Sequence, residues 1–175
     1  MEIHRYERLW FAAALVLIVA FIATVVYGAV GAGVEMIDDD GGTIDPDNWQ
    51  DHEVYDEGIG VFAANDSDAD YEVKMVAQHP AFSPGTVTVP ENSTVRFYIT
   101  SLDVIHGYDV AGTNINSMII PGQISEFTAE FDETGEYLVV CNEYCGPNHH
   151  NMEGSIQVVP ESEWNPDDAL VGGDA

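Results

Sequence analysis

Basic residues are nearly missing from this chain. Its 175 residues include four Lys and Arg together against 31 Asp and Glu, a formal net charge of −27. A surface of that sign cannot neutralise phosphates, which excludes nucleic acid as a partner. Cysteine is as scarce, with two residues in all, too few for the disulfide framework of a small secreted scaffold. No Cys-x-x-Cys-His stretch occurs, so the motif for covalent haem attachment is missing as well. Apolar residues are not in short supply. At 46% of the chain they suffice for a core and argue against disorder.

The charge is unevenly placed. Residues 9–34 carry none, a run longer than the roughly 20 apolar residues needed to cross a bilayer. Trp10 and Tyr27 lie near its ends, where amphipathic rings favour the headgroup layer. A cleaved signal peptide has an apolar region of only about 7–15 residues, so residues 1–34 are expected to form an uncleaved transmembrane anchor. Arg5 and Arg8 precede the run and predict a cytoplasmic N-terminus, with everything after it extracytoplasmic. All the acids except Glu2 and Glu7 lie beyond this run, against Lys74 and Arg96 alone. Acids spread so evenly repel one another unless salt shortens the screening length, which points to a chain built for molar salt, as in a halophile.

Residues 35–70 read as an acidic linker. Asp45-Pro46 has the form of a capped helix start, and the charge predicts mobility unless Trp49 and residues 58–63 lie along a membrane partner. From Tyr71 the pattern changes to short alternating runs between turn signals, the mark of an antiparallel sandwich. Strands are expected over 71–77, 86–89, 94–100, 104–110, 117–120, 124–131, 136–141 and 155–159, with Val95, Phe97 and Ile99 sharing a face. This makes residues 71–160 an all-β, Greek-key β-sandwich. Residues 161–175 form an acidic tail without periodicity.

Both cysteines fall in Cys141-Asn142-Glu143-Tyr144-Cys145-Gly146-Pro147-Asn148-His149-His150-Asn151-Met152. Two thiols, an imidazole and a thioether are soft or borderline donors, a set that suits copper better than magnesium or calcium. The spacing lets one tight loop turn them inward, and His106 in Asp103-Val104-Ile105-His106-Gly107-Tyr108 is the best source of a further imidazole. A disulfide would leave the His and Met unexplained, a structural zinc site usually excludes Met, and a single blue-copper ion would strand one thiol. The residues alone leave these readings open but favour copper, with two sulfurs able to bridge two ions. His150 reads as a solvated or interface residue, His79 as surface, the alternative being that it and Phe82 border the electron-entry patch, and Met75 and Met118 as core.

The loop resembles the dinuclear copper (CuA) loop of subunit II of haem-copper oxidases, Cys-x-Glu-x-Cys-Gly-x-x-His-x-x-Met, and matches it at every fixed position. Residues 103–108, then 110–116 and Pro121-Gly122, are similar to the family's segment carrying the distant histidine. The likeness runs from about Tyr71 to Val159, and the single N-terminal helix fits the short-subunit branch. The resemblance implies a cupredoxin fold and two copper ions bridged by Cys141 and Cys145. It further implies His106 and Met152 on one copper, and His149 with the main-chain carbonyl of Glu143 on the other. The side chain of Glu143 is a candidate for facing the membrane subunit.

The implied function is electron relay within an oxidoreductase. Electrons would come from an external cytochrome c or small blue copper protein and pass to a haem of subunit I, where oxygen is reduced to water and protons are translocated. Expected partners are therefore subunit I, the donor and membrane lipid. The alternatives are a stand-alone membrane-anchored copper carrier and a CuA domain like that of nitrous oxide reductase.

Overall fold

The structure is a computed structural model and describes residues 4–28, 41–65 and 67–165. Most of the acidic tail, the end of the apolar run and the start of the acidic segment lie outside these residues. The chain divides into two units, Met1–Val34 and Glu35–Ala175.

In the first unit, helix α1 spans Arg5–Val26 with a mean hydropathy of 2.8 and is long and apolar enough to cross a membrane. Its start is a reciprocal cap: the His4 ring accepts from the Tyr6 N–H while the Glu7 carboxylate accepts from the His4 N–H. No residue of α1 is buried within the protein. Its wall of Leu, Val, Ile and Phe is what a helix surrounded by lipid requires.

Among its described residues, the second unit is a sandwich of ten strands: β1 (Gly60–Ala63), β2 (Tyr71–Gln78), β3 (Ala81–Ser83), β4 (Thr86–Pro90), β5 (Ser93–Ser101), β6 (His106–Val110), β7 (Asn116–Ile119), β8 (Ile124–Phe131), β9 (Gly135–Val140) and β10 (Glu153–Val159). One sheet has the order β1-β2-β5-β8 with β3 on β2, and the other β4-β10-β9-β6-β7. Alternation puts Val95, Phe97 and Ile99 of β5 inward, all fully buried. They meet Tyr108, Val110, Ile119, Phe127, Val139 and Ile156 in one core. Phe97 stacks on Phe127 at 5.0 Å between ring centres, and Phe82 packs edge-on against Tyr108.

Two expectations are corrected. The sandwich is not wholly antiparallel: β2 pairs with β5, and β4 with β10, in parallel. The tight turn after β4 carries the chain into the opposite sheet, so β5 cannot pair back on β4 and lies along β2 instead. The expected linker also departs from its reading, because residues 41–65 are folded onto the sandwich. β1 pairs antiparallel with β2, burying Val61. Asp45 caps a short 3-10 turn, Pro46–Asp51, as the sequence predicts. A second such turn, Glu53–Tyr55, delivers Tyr55. The Tyr55 ring is 1% exposed, packs edge-on against Trp49, and its hydroxyl donates to the Met75 carbonyl at 3.0 Å. A few apolar anchors thus order a segment whose average composition is that of a mobile chain.

The domain's two basic residues lie on the neighbouring strands β2 and β5, Lys74 opposite Tyr98 and Arg96 opposite Glu72. Lys74, 4% exposed, bonds Glu57 at 2.9 Å, lies 3.9 Å from Glu72, and sits over the Phe62 ring. Arg96 approaches Glu72 at 3.9 Å and Glu126 at 3.5 Å. A buried ammonium is tolerable only when paired in this way.

Candidate metal centre

β6 and β9 are antiparallel neighbours, with Asp109 opposite Val140. The start of β6 therefore lies beside the end of β9, which brings His106 next to Cys141. No side chain fits between the two segments. A Cβ on the buried Gly107 would overlap Asn142 Oδ1 and lie 3.0 Å from the Glu143 nitrogen. After Cys141 the chain turns back through Gly146 and Asn148, at φ of +131° and +64°, and a 3-10 turn, His149–Asn151. The Cys141 N–H donates to the Met152 carbonyl at 3.1 Å and closes the loop.

The donors converge inside it. The Cys141 and Cys145 sulfurs are 3.8 Å apart, with both thiols free. Around Cys141 Sγ lie His106 Nδ1 at 3.8 Å and the Glu143 carbonyl at 3.2 Å. Around Cys145 Sγ lie His149 Nδ1 at 3.5 Å and Met152 Sδ at 3.6 Å. His106, Cys141 and Cys145 present ligand atoms within 4.8 Å of one another. His106, Cys141, Cys145 and Met152 are buried and continuous with the core, whereas the Glu143 side chain and His150 are exposed. Burial first, then the neighbouring Cys141, push the metal-free Cys145 thiol up to about 11. A thiol in that state calls for a cation to hold its charged form.

This donor set fits copper. It supplies two soft thiolates with an imidazole each, plus a thioether and a carbonyl, which is more than a four-coordinate structural zinc uses. The separated sulfurs also leave room between them that a disulfide would close.

Around the donors, the sequence reading missed Asp103. Its Oδ1 lies 2.7 Å from His106 Nε2, so the ring's other nitrogen faces the thiols, and it also accepts from the Val104 N–H at 2.7 Å. Desolvation works against the Asp103 carboxylate, but the bonds from His106, Val104 and His79 outweigh it and hold its pKa below the ordinary range. The three-residue spacing to His106 was the available signal, since a carboxylate behind a ligand imidazole commonly fixes its orientation. Asn142, bonded to Asn116 at 3.2 Å, was also missed. Phe82 does not border a surface patch, being 3% exposed in the core. Met75 is core as expected, and Met118 is half-buried.

The sequence profile described as "Cytochrome C oxidase subunit II, periplasmic domain" matches residues 72–159. A cytochrome c oxidase subunit 2 from Thermus thermophilus is 35% identical over 162 residues, covering 87% of this chain and 91% of that protein. The chain belongs to the cytochrome c oxidase subunit II family. A chain of a heme-copper terminal oxidase dimer, solved by cryo-EM, superposes with a TM-score of 0.67 at 31% identity. That match covers 89% of this chain and all of the other. A probable cytochrome c oxidase subunit 2 of Rickettsia prowazekii is 39% identical over 79 residues, 45% of this chain and 25% of that one. The chain is thus subunit II of a haem-copper oxidase, an oxidoreductase in which it partners subunit I. Its fold is cupredoxin-like, copper is the metal expected of the family, and α1 fits a single-pass membrane protein.

Proposed function

We propose that this subunit holds a dinuclear copper centre and takes electrons one at a time from an external cytochrome c or small blue copper protein. It passes them to the haem of subunit I, for reduction of oxygen to water coupled to proton translocation. The observation that carries this reading is the pair of free, buried thiols 3.8 Å apart, each flanked by an imidazole nitrogen. Cys141 and Cys145 would bridge, with His106 and Met152 on one copper and His149 and the Glu143 carbonyl on the other. Because both thiolates would be shared, proximity to one of them would not choose a metal. When bound, such a pair supplies one-electron redox chemistry with the unpaired electron shared over both ions.

The protein's own residues do the rest. Asp103 orients His106, the Cys141–Met152 hydrogen bond keeps the loop closed, and the adjoining core excludes water from the thiols. A site held by rigid strands and a braced loop changes little when its charge changes, which keeps electron transfer fast. Residues 1–34 would anchor the subunit with its N-terminus cytoplasmic, as Arg5 and Arg8 indicate, and residues 71–160 would carry the centre outside.

Copper loading of the full chain in detergent tests the proposal. Two coppers per chain, with electron spin resonance showing one spin over two nuclei, are expected. A one-copper spectrum, zinc in preference to copper, or a Cys141–Cys145 disulfide after mild loading would overturn it.

A further inference from the structure

His79 lies outside the donor loop, in the turn between β2 and β3, and is half-buried. It reaches both halves of the centre. Its Nε2 bonds the carbonyl of Pro147, and since a carbonyl only accepts, this nitrogen carries the proton. Its ring covers Gly146, where an added Cβ would sit 3.4 Å from the imidazole. Its backbone N–H donates to Asp103 Oδ2 at 2.8 Å, while the other oxygen of Asp103 holds His106. One residue therefore touches the segment running from Cys145 to His149 through its side chain, and the segment running to His106 through its main chain.

The loop has reason to need an outside brace. The N–H groups of His149, Asn151 and Met152 bond to Gly146, Asn148 and His149, all within the loop. Such bonds set its local shape but do not fix it against the sandwich. Gly146, at φ of +131°, occupies backbone space that side-chain-bearing residues rarely enter. With no side chain of its own, Gly146 cannot brace the turn between Cys145 and His149 by packing.

We infer that His79 is a positioning residue for the centre: its imidazole hydrogen bond to Pro147 clamps the Cys145–His149 turn. The inference rests on the copper reading above only for its functional meaning, because the clamp acts on the loop whether or not metal is bound. Gln presents an N–H about as far from the backbone as His Nε2 and should replace it. Ala offers no donor. Both variants keep the main-chain bond to Asp103, so they isolate the side chain's part.

The test is amide hydrogen exchange on the metal-free full chain in detergent, for wild type, His79→Ala and His79→Gln. The same three proteins are then loaded with copper and followed by electron spin resonance and by copper release to a chelator. In His79→Ala, exchange at His149, Asn151 and Met152 should rise roughly five- to tenfold, as expected for loss of one hydrogen bond. Amides of β5 and β8 should be unchanged. Copper release should quicken by a similar factor with altered hyperfine structure, and His79→Gln should restore most of both. Unchanged loop exchange in His79→Ala overturns the inference. So does a rise shared by β5 and β8, which would mean general destabilisation, or a His79→Gln protein as loose as His79→Ala. If the wild type takes up no copper pair, the proposed function fails, while the metal-free exchange still decides the clamp.

Discussion

Gly107→Ala adds one methyl group at the narrowest point between the two donor segments. The φ of Gly107 is outside the left-handed range, so backbone strain plays no part and the cost is steric. The methyl overlaps Asn142 Oδ1 and lies 2.9 Å from Asn142 Cγ and 3.0 Å from the Glu143 nitrogen. Asn142 is exposed and can swing away, losing its bond to Asn116, worth about 0.5–1 kcal/mol. The Glu143 nitrogen is main chain and must move by a few tenths of an ångström. Overpacking of this kind costs about 1–3 kcal/mol. For a domain of this size that lowers the melting temperature by about 4–15 °C. The displacement also has an address, because the Glu143 carbonyl lies 3.2 Å from Cys141 Sγ. The copper-loaded spectrum should therefore change along with the melting temperature. Melting followed by circular dichroism, on metal-free full chain in detergent, reads the first effect, and electron spin resonance after loading reads the second. In an Asn142→Ala background, which already lacks the bond to Asn116, Gly107→Ala should cost about half as much, the remainder belonging to the Glu143 nitrogen. A Gly107→Ala protein melting within about 1 °C of wild type, or an equally large drop when Asn142→Ala is the background, would refute the steric argument.

Cys141→Ser or Cys145→Ser should abolish the shared-spin spectrum. Met152→Leu should retain copper with a shifted redox potential, and His150→Ala should change little; loss of the centre in His150→Ala with retention in His149→Ala would reverse the assignment of the pair. The melting temperature should rise markedly from about 10 mM salt, where the screening length is about 30 Å, to 1 M, where it is about 3 Å; a flat profile removes the molar-salt reading. In stopped-flow reduction, salt should speed an acidic donor and slow a basic one. Tyr55→Ala should cost about 3–5 kcal/mol and expose residues 41–59 to chymotrypsin or Glu-C while leaving the copper spectrum intact; a protected segment would mean that Tyr55 is not its anchor.

Strands β5 and β8 were legible because each alternates over most of a long run; β8 spans 124–131 in both readings, and β5 differs by one residue at each end. β1 and β3 were not, being four and three residues long, too short to show a period. Their existence depends on the edge of β2 away from β5, which takes β1 at residues 71–74 and β3 at residues 76–78 and which no local pattern encodes. Parallel pairing was hidden for the same reason, since alternation says which face is buried but not which neighbour is chosen. Within the centre, residues 141–152 could be read because all their donors sit in one loop. The contacts that support them, Asp103 on His106, His79 on Pro147 and Gly107 against Asn142, join segments 3 to 68 residues apart in the chain, and only Asp103 lay close enough to betray itself by spacing.

The ion pairing of Lys74 and Arg96 with neighbouring carboxylates has a practical corollary for proteolysis. Trypsin cuts only after lysine or arginine, and this chain offers it Arg5, Arg8, Lys74 and Arg96. The last two lie mid-strand on hydrogen-bonded neighbours, Lys74 opposite Tyr98 and Arg96 opposite Glu72. A protease must peel β2 or β5 out of its sheet to reach either bond, whereas the acidic loops and turns contain nothing it recognises. Tryptic cleavage inside the domain therefore reports opening of the sheet itself, without background from surface nicking. When reclosing is fast relative to cutting, its rate measures how much of the population is open. An ordinary protease thus serves as a gauge of the sandwich's stability in molar salt or in detergent, wherever the enzyme's own activity is calibrated.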